Sequence, residues 1–169
     1  MTKEKFLLDA NVFITPYKSY YPFDFAPGFW KQLSPKLTYD EIGVLDIVKD
    51  EITKGSDTLS EWIESVENIH IISRKDEDII KGYTEVVDYL KNSNLYSKRA
   101  LKAWSMEGIA DPWLIAAALA YQYTIITLET ATGKITTVCN KPKIPSVGQD
   151  LGVKCESLFS FMRKMQFKL

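Results

Sequence analysis

Four acidic residues are spaced so that a simple fold would bring them together. Asp9 ends the apolar run KFLLDA (5–10). Glu51 lies about a turn and a half into the helix expected after a second apolar run, IGVLDI (42–47). Asp111 opens the stretch DPWLIAAALA, and Glu129 directly follows the β-branched run YTIITL (123–128). In an open α/β sheet, ligands bind outside the carboxyl ends of the strands. Carboxylates that converge there without basic partners repel one another. The usual resolution is a hard divalent cation, Mg2+ or Mn2+, held by oxygen ligands. Each acid also has a plain structural reading. Asp9 caps a turn, Asp111 caps a helix, Glu51 shares a solvated face with Lys49 and Asp50, and Glu129 is a loop acid. Spacing alone leaves both readings open.

The rest of the chain excludes much other chemistry. A single histidine, His70, rules out a paired imidazole acid and base, a His-rich zinc site and the HExxH pattern. It sits in an apolar run and reads as structural. Cys139 and Cys155 lack metal-type spacing and read as reduced thiols of a cytosolic protein. The net charge of −1 argues against bulk electrostatic binding of nucleic acid. The charge is nevertheless polarised: residues 1–84 carry 10 basic and 15 acidic side chains, residues 85–169 carry 11 and 7. Lys91, Lys98, Arg99 and Lys102 form a basic stretch without an acid, and Lys134, Lys141, Lys143, Lys154, Arg163, Lys164 and Lys168 follow. That pattern fits a solvated surface or a phosphate-facing side.

The elements that must carry these residues alternate. Apolar runs at 5–10, 42–47, 70–74 and 123–128 read as strands, with a further one at 136–140. Helices are expected over 29–37, after an Asp46 N-cap, over 57–68, after a Ser73/Asp76 capping box, after Asp111-Pro112 as N-cap and first helical residue, and over 156–167. The alternation predicts a three-layer α/β/α sandwich with a central, mainly parallel sheet. At 169 residues with 46% hydrophobic and 25% charged side chains, the chain can bury roughly 70% of its unfolded surface without disulfides. Without a linker or repeat it reads as one domain, 1–169. No apolar run reaches the ~18 residues of a membrane span, and no signal peptide precedes the first strand. The expected location is cytoplasmic. Segment 15–28 reads as an ordered aromatic loop. The aromatics of residues 17–30, namely Tyr17, Tyr20, Tyr21, Phe23, Phe25, Phe29 and Trp30, fit either the domain's own core or a homodimer or partner interface.

Taken in order, FLLDANVFI (6–14), IVKDEI (47–52), ADPWLIAAALA (110–120) and TIITLET (124–130) resemble the four acidic motifs of PIN domains. They span nearly the whole chain. The aromatic segment and NKPKIP (140–145) look closer to a PIN-like subfamily of bacterial and archaeal proteins than to the commonest short toxins. The resemblance implies a metal-dependent endoribonuclease of the VapC toxin kind, often paired with an antitoxin. It implies Asp9, Glu51, Asp111 and Glu129 as catalytic acids and metal ligands, directly or through water. Mg2+ or Mn2+ is the implied cofactor. Asn11 and Thr127 become groups that orient ligands or substrate, and Lys141 and Lys143 are expected to hold the RNA backbone. Glu129 stands where many PIN domains carry Asp, and Asp50 competes with Glu51 for the second position. A non-catalytic PIN-like module and another metal-dependent phosphate hydrolase are the alternatives.

Overall fold

A computed structural model describes residues 3–169. Among these residues, five strands form a parallel sheet: β1 (Lys5–Leu8), β2 (Ile42–Leu45), β3 (Ile71–Ile72), β4 (Tyr123–Ile126) and β5 (Cys155–Glu156). Their order is β3-β2-β1-β4-β5. Every residue of β2 and β4 is buried. This is why both read as unbroken apolar runs: each is covered on both faces. The chain winds outward from β1 in one direction through β2 and β3, and in the other through β4 and β5. The topological switch point therefore lies between β1 and β4. Their register pairs Leu8 with Ile126, and the Asp9 amide donates to the Ile126 carbonyl at 3.0 Å. Residues just past both strands are thereby held side by side.

Helices complete the expected α/β/α architecture: α1 (Asn11–Thr15), α2 (Pro27–Lys36), α3 (Asp46–Thr53), α4 (Thr58–Ser65), α5 (Glu77–Asn92), α6 (Lys98–Trp104), α7 (Asp111–Tyr121), α8 (Ile144–Asp150) and α9 (Leu158–Lys164). The apolar helix α7 buries Leu114, Ile115, Ala116, Ala117 and Ala118 and packs on α5 and β4. Its alanines let α5 approach closely, and a Cβ built on Gly82 would lie 2.6 Å from the Ala116 carbonyl oxygen. The buried residues form one contiguous core. No helix among the described residues is long and apolar enough to cross a membrane.

Several expected elements differ. Residues 136–140 are not a strand. Thr136, Thr137 and Val138 are exposed, and only Cys139 makes an isolated bridge, to Tyr96. The fifth strand is Cys155–Glu156, which carries no periodic pattern and is fixed by backbone bonds from Ile125 to Lys154 and from Thr127 to Glu156. The Ser73/Asp76 capping box is absent. Asp76 alone caps α5, accepting from the Asp78 and Ile79 amides, while Ser73 accepts from Lys75. Asp46 and Asp111 are each the first residue of their helices, not the caps. Helices α6 and α8 were not anticipated.

Most of the aromatic segment turns inward. Phe29 and Trp30 are buried, Phe23 stacks on Trp30 with centroids 4.5 Å apart, and the Trp30 indole donates to the Tyr21 carbonyl at 2.7 Å. A π-helical turn over Pro16–Tyr20 feeds the chain into this cluster. Phe25, 79% exposed, is the clear exception. Tyr17, Tyr21, Phe23, Phe29 and Trp30 thus belong to or pack on the domain's own core.

Candidate active site

Asp9 follows β1 directly and is only 5% exposed. One of its carboxylate oxygens, Oδ2, accepts the Thr127 hydroxyl at 2.8 Å. Thr127, just past β4, is itself 2% exposed, and its oxygen accepts from the Asn11 amide (3.1 Å) and the Glu129 backbone N–H (3.1 Å). Asn11 closes the lattice by accepting from the Leu128 amide at 3.0 Å. Asn11 and Thr127 therefore act together: they fix the Asp9 carboxyl and the chain that leads to Glu129. A carboxyl so buried is costly to ionise. Burial, followed by the negative charges of Asp111 and Glu129, raises the Asp9 pKa to about 7 against the pull of the Thr127 bond.

Asp111 lies at the first turn of α7, and the cap position before it makes no side-chain bond. Burial, then Glu129 and Glu51, raise its pKa to about 6, while Lys143 opposes them. Glu51, on α3, reaches solvent, and partial burial raises its carboxyl above the usual range. Its neighbour Asp50 faces elsewhere, 3.9 Å from the Arg74 guanidinium. Asp9, Asp111 and Glu129 thus act on one another, Glu51 acts on Asp111 alone, and Asp50 lies beside Arg74.

Glu129 has a bonding pattern that its sequence position did not reveal. One oxygen accepts from the Ile144 amide at 2.9 Å, at the first residue of α8, and the other lies 3.4 Å from the Lys143 ammonium. A carboxylate at a helix start satisfies an orphan N–H. Lys143, 44% exposed, therefore stands at the acids and not on a distant loop, whereas Lys141 is exposed and makes no ion pair among the described residues. The thiol of Cys155 also lies nearby. Burial, then Asp9 and Glu129, push it up to about 11. The pairing of the two-residue β5 creates that proximity, and nothing in the local sequence signals it.

The donor set suits a hard cation: four carboxyls, no histidine and a thiol held protonated. Among the described residues, however, no three such side chains stand close enough to grip one ion together. Any cation here would be held partly through water.

A family model covers residues 6–169, nearly the entire chain. The chain belongs to the family described as a domain of unknown function, DUF4411. No curated protein matches the sequence. Two solved structures are similar to this DUF4411 chain in fold. One is the DNA-bound VapBC from Salmonella typhimurium, with 12% identity and a TM-score of 0.54 over 92% of this chain and 98% of that one. The other is VapBC2 from Rickettsia felis bound to a DNA fragment from its promoter, with 14% identity and a TM-score of 0.52 over 90% and 97%. At such identities the likeness is one of fold alone: this DUF4411 member shares its α/β/α architecture with a chain of each VapBC structure.

Proposed function

We propose that this chain is a divalent-cation-dependent endoribonuclease, the toxin of a toxin–antitoxin pair. The reading is supported by the grouping of Asp9, Asp111 and Glu129 beside the switch point of the sheet, with Glu51 acting on Asp111 and with the pKa values of Asp9 and Asp111 strongly raised. Acids gathered at such a cost to the apo fold are expected where a cation offsets them. The fold shared with VapBC chains supports both the activity and an antitoxin partner.

Asp9 and Asp111 would hold Mg2+ or Mn2+ most directly, with Glu51 and Glu129 acting through water. When bound, the cation supplies an activated water and neutralises charge on the phosphoryl oxygens. The residues' own part is positional. The Thr127 hydroxyl holds Asp9 Oδ2, which fixes the rotation of the carboxyl. Asn11 holds Thr127 and the Leu128 amide, so β1 and the chain after β4 move as one unit. Glu129 tethers the start of α8 and keeps the Lys143 ammonium beside the acids, where it can meet a phosphate. Lys141, exposed two residues earlier, would extend this backbone contact.

Incubation of a mixed single-stranded RNA pool with the purified chain tests the proposal. Cleavage should require Mg2+ or Mn2+ and stop in EDTA. Cleavage undiminished by EDTA, or none at any metal concentration, would remove the reading.

A further inference from the structure

We propose that the cleft between the end of α5 and α6 binds one base of a single-stranded RNA, with the lysines around it holding the flanking phosphates. The proposal rests on the ribonuclease reading and names where the strand lies away from the acids. The cleft has a volume of about 350 Å3 and is lined by Leu90, Lys91, Tyr96, Ser97, Lys98 and Leu101. Its walls are chiefly apolar, and Tyr96, only 6% exposed, contributes to one of them. Its two charged residues, Lys91 and Lys98, are exposed and make no ion pair among the described residues. An apolar slot flanked by exposed cations suits single-strand binding, in which a base is taken up by apolar contact and the phosphates find positive charge.

The fold joins this cleft to the acid cluster. The Cys139 amide donates to the Leu95 carbonyl at 2.8 Å, and the Ser97 amide donates to the Cys139 carbonyl at 3.0 Å. The two segments run parallel through the Tyr96–Cys139 bridge. Lys98 and Lys141 each lie two residues beyond that bridge. Two residues further on, Lys143 stands 3.4 Å from Glu129. Basic residues far apart in sequence thus form a path from the cleft to the acids. Lys102, one turn after Lys98 on α6, widens it on the same helix face. A polyanion entering an acidic site needs such a path.

The test uses the full chain in EDTA, so that binding is read without cleavage. The probe is a labelled oligouridylate of ~10 nucleotides, within the usual site size for such proteins. The Lys91→Ala, Lys98→Ala, Lys102→Ala triple variant should lower the slope of log affinity against log salt by roughly 2, at about 0.7 per lost phosphate contact. An abasic strand of equal length should bind wild type at least ~5-fold more weakly, because the base contact is lost. The variant should keep the wild-type melting temperature and, if the chain is a nuclease, its cleavage of bis(p-nitrophenyl) phosphate. An unchanged salt slope, equal binding of the abasic strand, or equal binding of an oligoglutamate peptide would overturn the proposal. Failure of the nuclease reading itself would show separately, as absence of cleavage in Mg2+ with RNA binding intact.

Discussion

Thr127 has one hydroxyl proton, and it goes to Asp9. Both acceptor positions of the same oxygen are also used, by Asn11 and the Glu129 amide. Thr127→Val keeps the shape but strands the Asp9 carboxyl, the Asn11 amide and the Glu129 backbone N–H. An unsatisfied buried group costs about 1–3 kcal/mol, so the variant should lose at least that much stability in urea. A loss below about 0.5 kcal/mol would show that this lattice is not structural. Asp9 gives a pH signature. Its folded pKa, about 7, lies above the ordinary 3.8. The native state therefore holds that proton more tightly than the unfolded chain. Stability from this group is full below about pH 4 and drains away as pH rises toward 7. Metal-free protein should melt at a lower temperature at pH 8 than at pH 5.5. Asp9→Asn should flatten that slope and raise the melting temperature in EDTA at pH 8. A wild-type melting temperature that climbs over this window would contradict the assignment. At this scale the sequence was informative about Asp9, Asn11, Asp111 and Thr127, because each sits at the edge of a strongly patterned run. The bond between the Ile144 amide and Glu129 was not legible, because the two lie 15 positions apart across irregular chain.

Two glycines give opposite expectations at the scale of elements. Replacing Gly by Ala inside an unpacked helix gains about 1 kcal/mol. Gly28, on α2, has nothing within 4 Å of a built Cβ, so Gly28→Ala should stabilise. Gly82 is the reverse: its Cβ would stand 2.6 Å from a backbone oxygen of α7, and backbone does not yield easily. Gly82→Ala should therefore cost about 1–3 kcal/mol by overpacking. Chemical denaturation of both variants checks the pair; a stabilised Gly82→Ala would mean that α5 and α7 are not tightly apposed. The same contact explains what was readable here. Helix α7 declared itself by an apolar run that no surface helix carries, and β2 and β4 by runs buried on both faces. Helices α6 and α8 hid because each carries only two bulky apolar residues, whereas α9, equally short at seven residues, carries four. β5 hid because two residues can pair without any pattern. TTVCN misled because β-branched residues fit a strand only where a face is covered, and Thr136, Thr137 and Val138 are exposed.

The whole molecule combines an acidic cluster with a basic flank, as a near-neutral total conceals. The alternation of strands and helices made the α/β/α class legible, and four acids in order made the switch point legible as a site. The folding of residues 95–98 against 139–141 was beyond the sequence, because it depends on a single backbone bridge. The central claim is that the acids at the switch point hold a divalent cation and cut RNA there. The direct test compares initial rates of RNA cleavage by wild type and Asp9→Asn in Mg2+, with folding of both verified by circular dichroism. Loss of groups that merely support metal ligands costs ~10–100-fold. A residue holding the cation itself should cost at least ~100-fold, so the account predicts wild-type cleavage and an Asp9→Asn rate lower by that factor or more, in a protein that remains folded. Cleavage by Asp9→Asn at the wild-type rate would contradict it.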